Sequence, residues 1–293
     1  MAVSIRDWLN KAQKALLKEA PDSESARQEA RYILAHTLKK EIAWTATHDT
    51  DSLGLFDLLK ADLAVLARRR GKPLAYVLGS QPFYGRDFVV NKHTLIPRPE
   101  TEDMIDAALS TAKIFKQPII VDIGTGSGVI ACTMALEVPK GHVYAVELSE
   151  KALAVAKQNA SALKASVEFS HDSLLPGELR AKLSSASGDA VIICANLPYL
   201  PMSDKQALDH SVTAYEPHGA LFTDDQGMML NKQLILQVAE WRTIEYRPIF
   251  LLLEIDPPQA PTLLAFASQH LEDSKTAIVK DRCERERFIR IEI

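Results

Sequence analysis

A strand, a glycine-rich turn and a helix follow one another directly in the middle of the chain. Residues 119–121 are a β-branched run typical of a buried strand, and residues 129–136 indicate the first turns of a helix. Between them lie Asp122, Thr125 and Ser127, with glycines at positions 124, 126 and 128. Glycine lets the backbone approach a ligand closely, and a helix N-terminus presents free N–H groups. The stretch therefore predicts a site for a nucleotide-like ligand.

An acidic residue ends the next predicted strand and helps to identify that ligand. Glu147 lies 19 positions after Gly128, close to the ~20 expected of a carboxylate that binds ribose hydroxyls. A dinucleotide site needs G-x-G-x-x-G, but the third glycine position is Val129. The observed G-x-G-x-G resembles the first motif of S-adenosylmethionine-dependent methyltransferases. An ordinary strand-to-helix turn with three glycines is the alternative at this point.

The rest of the chain predicts a mostly parallel sheet preceded by a helical region. Strands and helices alternate from residue 118 onward, which is typical of βαβ units. Predicted strands are 119–123, 142–147, 166–170, 190–195, 249–255, 276–280 and 287–293. Predicted helices include 149–163 and 226–245. The last two strands are separated by a short turn and should be antiparallel, so we expect an α/β fold with the seven-stranded sheet of a class I (Rossmann-like) methyltransferase.

Length and local pattern predict two domains. A chain of 293 residues exceeds a typical single domain. We expect a small all-helical N-terminal domain over 1–72, a β-hairpin and linker over 73–100 with strands at 74–79 and 83–90, and a catalytic domain over 101–293. Three N-terminal helices are predicted: one from about residue 5 that Pro21 ends, a second that Asp22-Ser23 can cap and that includes Leu38, and a third over about 55–70.

Charge and cysteine content exclude several classes of function. The net charge is −4, although residues 1–80 carry 13 Lys and Arg against 10 Asp and Glu, so we expect no stable binding of nucleic acid. The three cysteines lack C-x-x-C spacing and the histidines lack metal-ligand spacing, which predicts no metal site. No signal peptide or long apolar run is present. We therefore expect a cytoplasmic protein without membrane attachment, acting as a monomer.

A second motif, Asn196-Leu197-Pro198-Tyr199, follows the fourth strand of the predicted sheet. Ligands of open α/β sheets bind beyond the carboxyl ends of the strands, which places this motif beside the glycine turn and Glu147. The Asn196 oxygen and the Leu197 carbonyl would accept the two N–H bonds of a planar –NH2 group, and the Tyr199 ring would pack on it. Those N–H bonds become more acidic as a methyl group is transferred, so the two acceptors favour the transition state. A simple turn after a strand is the alternative explanation of Asn196 and Pro198.

These motifs together are similar to those of a known family, the N5-glutamine methyltransferases of peptide chain release factors. The resemblance covers nearly the whole chain, and its most specific part is Ile96-Pro97-Arg98-Pro99-Glu100-Thr101-Glu102. It also includes the following segments: Phe83-Tyr84-Gly85, 122–128, 196–199, Tyr215-Glu216-Pro217, Leu253-Glu254-Ile255 and 281–288.

The resemblance implies S-adenosylmethionine as cofactor and a release factor as protein substrate, recognised with the help of the helical N-terminal domain. The implied cofactor-binding residues are Asp122, Gly124, Thr125, Gly126, Ser127, Gly128, Glu147, Asp172, Ser173 and Asn196. The implied catalytic residues, which would hold the glutamine of a Gly-Gly-Gln motif, are Asn196, Leu197, Pro198 and Tyr199. Arg98, Pro99 and Glu100 would border that substrate pocket.

Two positions depart from the family pattern. Leu197 replaces the first proline of N-P-P-Y, which keeps the backbone carbonyl but removes the restraint on φ. Asp256 replaces the glycine of E-I-G-x-x-Q, while Gln259 keeps its place. N-L-P-Y also occurs in ribosomal RNA adenine dimethylases, which lack the I-P-R-P-E-T-E segment. Two alternatives to glutamine methylation therefore stay open: N6-adenine methylation of RNA, and a cofactor-binding interaction module without catalysis.

Overall fold

The computed structural model describes residues 3–293 as two compact units. The first unit runs to Ser80 and also contains Asp209–Tyr215. The second consists of Gln81–Leu208 and Glu216–Ile293. The helical unit thus extends past the boundary expected at residue 72 and takes in a short segment from the second half of the chain.

The helical unit forms because its amphipathic helices share one apolar core. Trp8, Leu16 and Leu34 are fully buried in this core. The Asp22 side chain accepts a hydrogen bond from the Ser25 N–H and caps the second helix, as its sequence predicts. The helices are α1 (Ile5–Leu16), α2 (Ser23–Leu38), α3 (Trp44–Thr47), α4 (Leu55–Arg69) and α5 (Leu74–Leu78).

The strand predicted over 74–79 is wrong, because these residues form helix α5. Pro73 precedes the helix, and Gly79 ends it with a φ of 72°. A five-residue apolar run cannot be assigned to strand or helix by its pattern alone. A hairpin lies just beyond, as β1 (Ser80–Phe83) and β2 (Arg86–Val89). Its tight turn, with Tyr84 and Gly85 at positive φ, interrupts the strand predicted over 83–90, so the hairpin is formed by other residues than predicted.

The second unit contains the predicted sheet. Its strands are β3 (Ile119–Ile123), β4 (His142–Glu147), β5 (Val167–His171), β6 (Val191–Ala195), β7 (Ile249–Glu254), β8 (Lys275–Lys280) and β9 (Glu286–Glu292). Within residues 3–293 they are ordered β5-β4-β3-β6-β7-β9-β8. β9 is antiparallel to both β7 and β8, and the other neighbours are parallel. The seven-stranded, mostly parallel sheet is therefore confirmed.

The remaining helices, all but α10, complete the layers around this sheet. They are α6 (Thr101–Ala112), α7 (Val129–Glu137), α8 (Glu150–Leu163), α9 (Gly177–Ser185), α10 (His210–Tyr215, in the first unit), α11 (Met229–Arg242) and α12 (Ala260–His270). Alternate side chains of β3 enter different cores: Val121 and Ile123 pack in one buried cluster, and Ile120 packs in another. Both faces of the sheet are thus covered, and ligands have access at the strand ends.

Two of the three cysteines are buried. Cys132 and Cys194 are buried, Cys283 is exposed, and burial raises the pKa of the Cys132 thiol to about 12. Across residues 3–293, no helix has the length and apolar character needed to cross a bilayer.

Two adjacent leucines of the helical unit test its core. Leu16 is fully buried, whereas Leu17 is 47% exposed. Leu16→Ala should lower the free energy of unfolding by about 2–5 kcal/mol, because it leaves a cavity. Leu17→Ala should change it by less than about 0.5 kcal/mol. Denaturant unfolding of the full chain, followed by tryptophan fluorescence, measures both; equal losses would contradict the assigned core.

Candidate active site

A cavity of about 350 Å³ lies at the carboxyl ends of the central strands. Ile123 of β3, Val146 of β4 and Asn196 after β6 all line it. The chain runs outward from β3 to β4 and β5, then returns to β6 on the other side of β3. The cavity is therefore at the point where the strand order reverses, the usual ligand site of an open α/β sheet.

The glycine turn forms one wall of this cavity and is held by a buried carboxylate. Gly124, Thr125, Gly126 and Ser127 line the cavity. Asp122 has no exposed surface; its Oδ2 accepts from the Thr125 hydroxyl at 2.5 Å and from the Ala131 N–H at 3.1 Å. Burial raises the pKa of Asp122 to about 7. Asp122 thus fixes the turn and the start of α7. This is a positioning role, whereas the sequence predicted a contact with the cofactor.

Gly128 also acts through packing. It begins α7 with a φ of 83°, and a Cβ atom there would lie 3.1 Å from the Cβ of Ala156 in α8. This is tighter than an ordinary carbon contact, and the left-handed backbone further disfavours a side chain. Gly128 therefore allows α7 and α8 to approach closely, and the cavity wall is formed by the preceding four residues of the turn.

Glu147 joins the glycine turn to the end of β4. Its Oε2 accepts from the Gly126 N–H at 2.8 Å, and its Oε1 accepts from the Ser149 N–H at 2.8 Å. Each carboxylate oxygen has a second lone pair, so Glu147 can still accept from ribose hydroxyls in the cavity. Asp172 and Ser173, after β5, line the cavity as well, and Asp172 Oδ1 accepts from the Ser173 N–H.

Asn196 lines the cavity, and its side chain is oriented by a hydrogen bond to a neighbouring hydroxyl. Its Nδ2 donates to Thr101 Oγ1 at 3.1 Å, and the Thr101 hydroxyl donates to Glu254 Oε2 at 2.9 Å. Thr101 is also part of the cavity wall, while Glu254 is 1% exposed at the end of β7. With its N–H side bonded to Thr101, Asn196 has its oxygen to offer to a ligand.

Leu197 packs between the two motifs. It is 5% exposed and lines the cavity, and a Cβ atom at Gly124 would be 2.9 Å from its Cδ2 atom. Its side chain therefore lies next to the glycine turn, and the φ of 73° at Gly124 disfavours any side chain at that position. Pro198, the next residue, lines the cavity too.

Tyr199 is anchored by both its hydroxyl and its carbonyl. The hydroxyl donates to Glu254 Oε1 at 3.4 Å, and the carbonyl accepts from Gln259 Nε2 at 2.7 Å. The Asp256 N–H donates to Gln259 Oε1 at 3.1 Å. Asp256, the departure from the family glycine, heads the short 3₁₀ turn that positions Gln259. Packing of the Tyr199 ring on a substrate group stays a prediction.

The I-P-R-P-E-T-E segment contributes to the cavity mainly through other residues than those predicted. Pro97 and Thr101 line the cavity, as does Leu95 immediately before the segment. The Arg98 guanidinium instead pairs with Glu216 Oε1 at 2.6 Å, and Glu216 Oε2 accepts from the Ile96 N–H at 3.0 Å. Glu216 is 4% exposed, so this pair holds the segment in place from within. Substrate contacts of Arg98, Pro99 and Glu100 stay a prediction.

Sequence reasoning missed four residues that hold the site together: Thr101, Glu216, Glu254 and Gln259. All four lie inside segments that carry the family resemblance, but their partners are distant in sequence; Thr101 and Glu254 are 153 positions apart. One signal was present for Glu254. It is the single charged residue of a fully buried strand, Ile249–Glu254.

Comparison with known proteins identifies the family. Residues 7–79 match the model described as "PrmC N-terminal domain", and residues 120–219 match "Methyltransferase domain". A release factor glutamine methyltransferase from Koribacter versatilis is 37% identical, over 76% of this chain and 77% of that protein. One from Staphylococcus aureus is 32% identical, over 81% and 84%. The chain belongs to the release factor glutamine methyltransferase family.

Solved structures agree with this fold. The catalytic domain of hMettl16, crystallised with a MAT2A 3′UTR hairpin, aligns with a TM-score of 0.51 at 15% identity and covers 80% of each chain. At this identity the likeness shows the fold alone, which is that of class I methyltransferases.

The cavity fits S-adenosylmethionine, the methyl donor of release factor glutamine methyltransferases. Its volume of about 350 Å³ lies in the range of small-ligand sites. Glu147 supplies acceptors for hydroxyl groups, and the glycines at 124 and 126 leave the turn open for close approach of a ligand. The donors, acceptors and apolar walls of this methyltransferase site therefore match the cofactor.

Glu147→Ala tests the cofactor site. It would remove the charge-assisted bonds expected to the ribose and also frees the Gly126 N–H, so binding of S-adenosylmethionine should weaken by about 1.5–3 kcal/mol. Glu150→Ala is the matched control, because Glu150 is exposed three residues away, outside the cavity wall. Isothermal titration calorimetry measures both affinities; an unchanged affinity in Glu147→Ala would remove this residue from the site.

Proposed function

We propose that the cavity places the glutamine side chain of a release factor beside bound S-adenosylmethionine, and that the 196–199 turn holds the amide during methyl transfer. The chain is an S-adenosylmethionine-dependent methyltransferase that acts on release factor glutamine, as its family membership indicates. The proposal adds the residues that do this work and the nitrogen, N5 of a Gly-Gly-Gln glutamine, that receives the methyl group.

Binding of the cofactor falls to the glycine turn and to the acidic residues of the neighbouring strand ends. Residues 124–127 would contact the methionine part, Glu147 the ribose, and Asp172 with Ser173 the adenine. When bound, S-adenosylmethionine supplies a methyl group activated by a sulfonium. Asp122 would take part by holding the turn, since its own contacts are with Thr125 and Ala131.

The amide clamp explains how a weak nucleophile can react. The lone pair of an amide nitrogen is delocalised, so it must be held in line with the methyl group. The Asn196 oxygen and the Leu197 carbonyl would accept hydrogen bonds from its two N–H groups. These hydrogen bonds strengthen as positive charge develops on the nitrogen. No strong base is needed before transfer, because a proton can leave afterwards.

One observation carries this proposal: the Asn196 amide borders the cavity with its N–H side already bonded to Thr101. With one of its two N–H groups bonded to Thr101, the planar Asn196 amide offers its oxygen to the ligand as an acceptor. An acceptor is what an –NH2 group needs. An exocyclic amine of adenine has the same requirement, so RNA is the competing substrate to test.

Partner recognition is supported by the surface of the helical unit. On α4 the side chains of Leu55, Phe56, Leu59 and Leu63 are more than half exposed. Exposed apolar side chains clustered on one helix are typical of surfaces that contact other proteins. We propose that the helical unit, with residues 1–72, contacts the release factor, and that the chain acts as a cytoplasmic monomer without a stable nucleic-acid complex.

The function is tested by incubating the protein with labelled S-adenosylmethionine and either a release factor or ribosomal RNA. We expect label on the release factor, at a glutamine identified by mass spectrometry. Asn196→Ala should lower kcat about 10²–10³-fold, while binding of the cofactor changes far less. Label on RNA alone would contradict the proposal and favour adenine methylation.

Leu197→Pro separates the backbone carbonyl from the leucine side chain. Proline keeps the carbonyl and stiffens the turn, so kcat should stay within about threefold of wild type if the carbonyl is the acceptor. Pro198→Ala should cost more, because it loosens the aim of that carbonyl. Loss of transfer in Leu197→Pro, with normal cofactor affinity and unfolding temperature, would mean that the leucine side chain itself shapes the substrate pocket.

A further inference from the structure

A buried carboxylate lies behind the amide clamp and contacts two of its supports. Glu254 ends β7 and is 1% exposed. Its Oε2 accepts from the Thr101 hydroxyl at 2.9 Å, and its Oε1 accepts from the Tyr199 hydroxyl at 3.4 Å. An ionised carboxylate has no proton to give, so both hydroxyls must donate to it.

The direction of the Thr101 hydroxyl decides the orientation of Asn196. A hydroxyl has one proton, and Thr101 donates it to Glu254. The Thr101 oxygen can then only accept, and it accepts from Asn196 Nδ2 at 3.1 Å. The Asn196 oxygen is consequently the end of the amide left for the substrate.

We propose that Glu254 and Thr101 form a positioning relay that keeps the Asn196 oxygen turned toward the substrate –NH2 group, and that this relay works only while Glu254 is ionised. The proposal rests on the glutamine-binding function assigned above to Asn196. Thr101 and Glu254 act through Asn196 and are positioning residues.

Protonation of Glu254 reverses the relay. A protonated Glu254 can donate to Thr101, which frees the Thr101 proton to bond the Asn196 oxygen. The Asn196 amide can then rotate by about 180° and present its own –NH2 group to the substrate –NH2 group. Both groups are hydrogen-bond donors, so no hydrogen bond forms between them. The acidic form is therefore inactive, and activity falls as pH is lowered.

Several groups around Glu254 decide where this change occurs. The pKa of Glu254 is raised to about 7, chiefly by burial and in smaller part by the nearby Glu100. Arg287 of β9 and the hydroxyls of Thr101 and Tyr199 oppose that rise. From α11, Asn231 contributes a neutral contact, its Nδ2 donating to the Glu254 backbone carbonyl at 3.5 Å. We thus expect the transition near neutral pH.

The test compares pH profiles of kcat for the wild type, Thr101→Val, Thr101→Ser and Glu254→Gln, with a release factor as substrate. Wild-type kcat should fall below about pH 7. Thr101→Val should lower kcat at pH 8 by about tenfold or more, with the KM for S-adenosylmethionine within about twofold. Thr101→Ser, which retains the hydroxyl, should restore the rate and the pH profile. Glu254→Gln should lose the acidic fall.

A matched control lies on the same helix. Thr111 is a buried threonine of α6 whose hydroxyl donates to the Ala107 carbonyl, away from the cavity. Thr111→Val should keep wild-type kinetics and report the cost of removing a buried hydroxyl from α6. Wild-type kcat in Thr101→Val, or an unchanged acidic fall in Glu254→Gln, would overturn the relay.

Infrared spectroscopy tests the relay without catalysis and separates its failure from failure of the proposed function. The carboxylic-acid band of wild type should grow as pH falls through about 7, and the part due to Glu254 is the difference from Glu254→Gln. Asp122, whose pKa is also raised to about 7, titrates in both proteins and cancels. Thr101→Val should shift the Glu254 band because it removes a hydrogen bond. Absence of any Glu254 band near neutral pH would overturn the relay even if the wild type methylates release factor normally.

Discussion

The proposed amide clamp depends on one interaction, the hydrogen bond that the Thr101 hydroxyl donates to the buried carboxylate of Glu254. This bond sets the direction of the next one, from Asn196 to Thr101, and so decides which end of the Asn196 amide a ligand meets. A buried carboxylate is costly to ionise, and it is tolerated here because two hydroxyls and the charge of Arg287 oppose that cost. The specificity of the proposed site lies in this hydrogen-bond network, and the site needs no strong base.

A second buried carboxylate supports the cofactor side of the cavity. Asp122, at the end of β3, holds Thr125 and the start of α7. Leu197 connects the two sides, since its Cδ2 atom would lie 2.9 Å from a Cβ atom at Gly124. The glycine turn and the clamp are therefore packed as one wall, and a side chain at position 124 would disturb both.

Much of this arrangement could be predicted from the sequence, because strands and turns are local. The β-branched runs marked the strands, and the glycines and Glu147 marked the cofactor wall, where the structure places residues 124–127 and Glu147 together. Residues 74–79 were mistaken for a strand because five apolar residues show no clear period. The Thr101–Glu254 bond and the Arg98–Glu216 pair join residues more than 100 positions apart, and no local pattern encodes such contacts.

A crystal structure of the protein with S-adenosylhomocysteine and a Gly-Gly-Gln peptide tests the account most directly. We expect the glutamine amide nitrogen within about 3 Å of both the Asn196 Oδ1 atom and the Leu197 carbonyl oxygen. Thr101 should still bridge Asn196 and Glu254. An amide nitrogen bound elsewhere, or a glutamine carbonyl oxygen facing the Asn196 Nδ2 atom, would contradict the clamp and the relay that supports it.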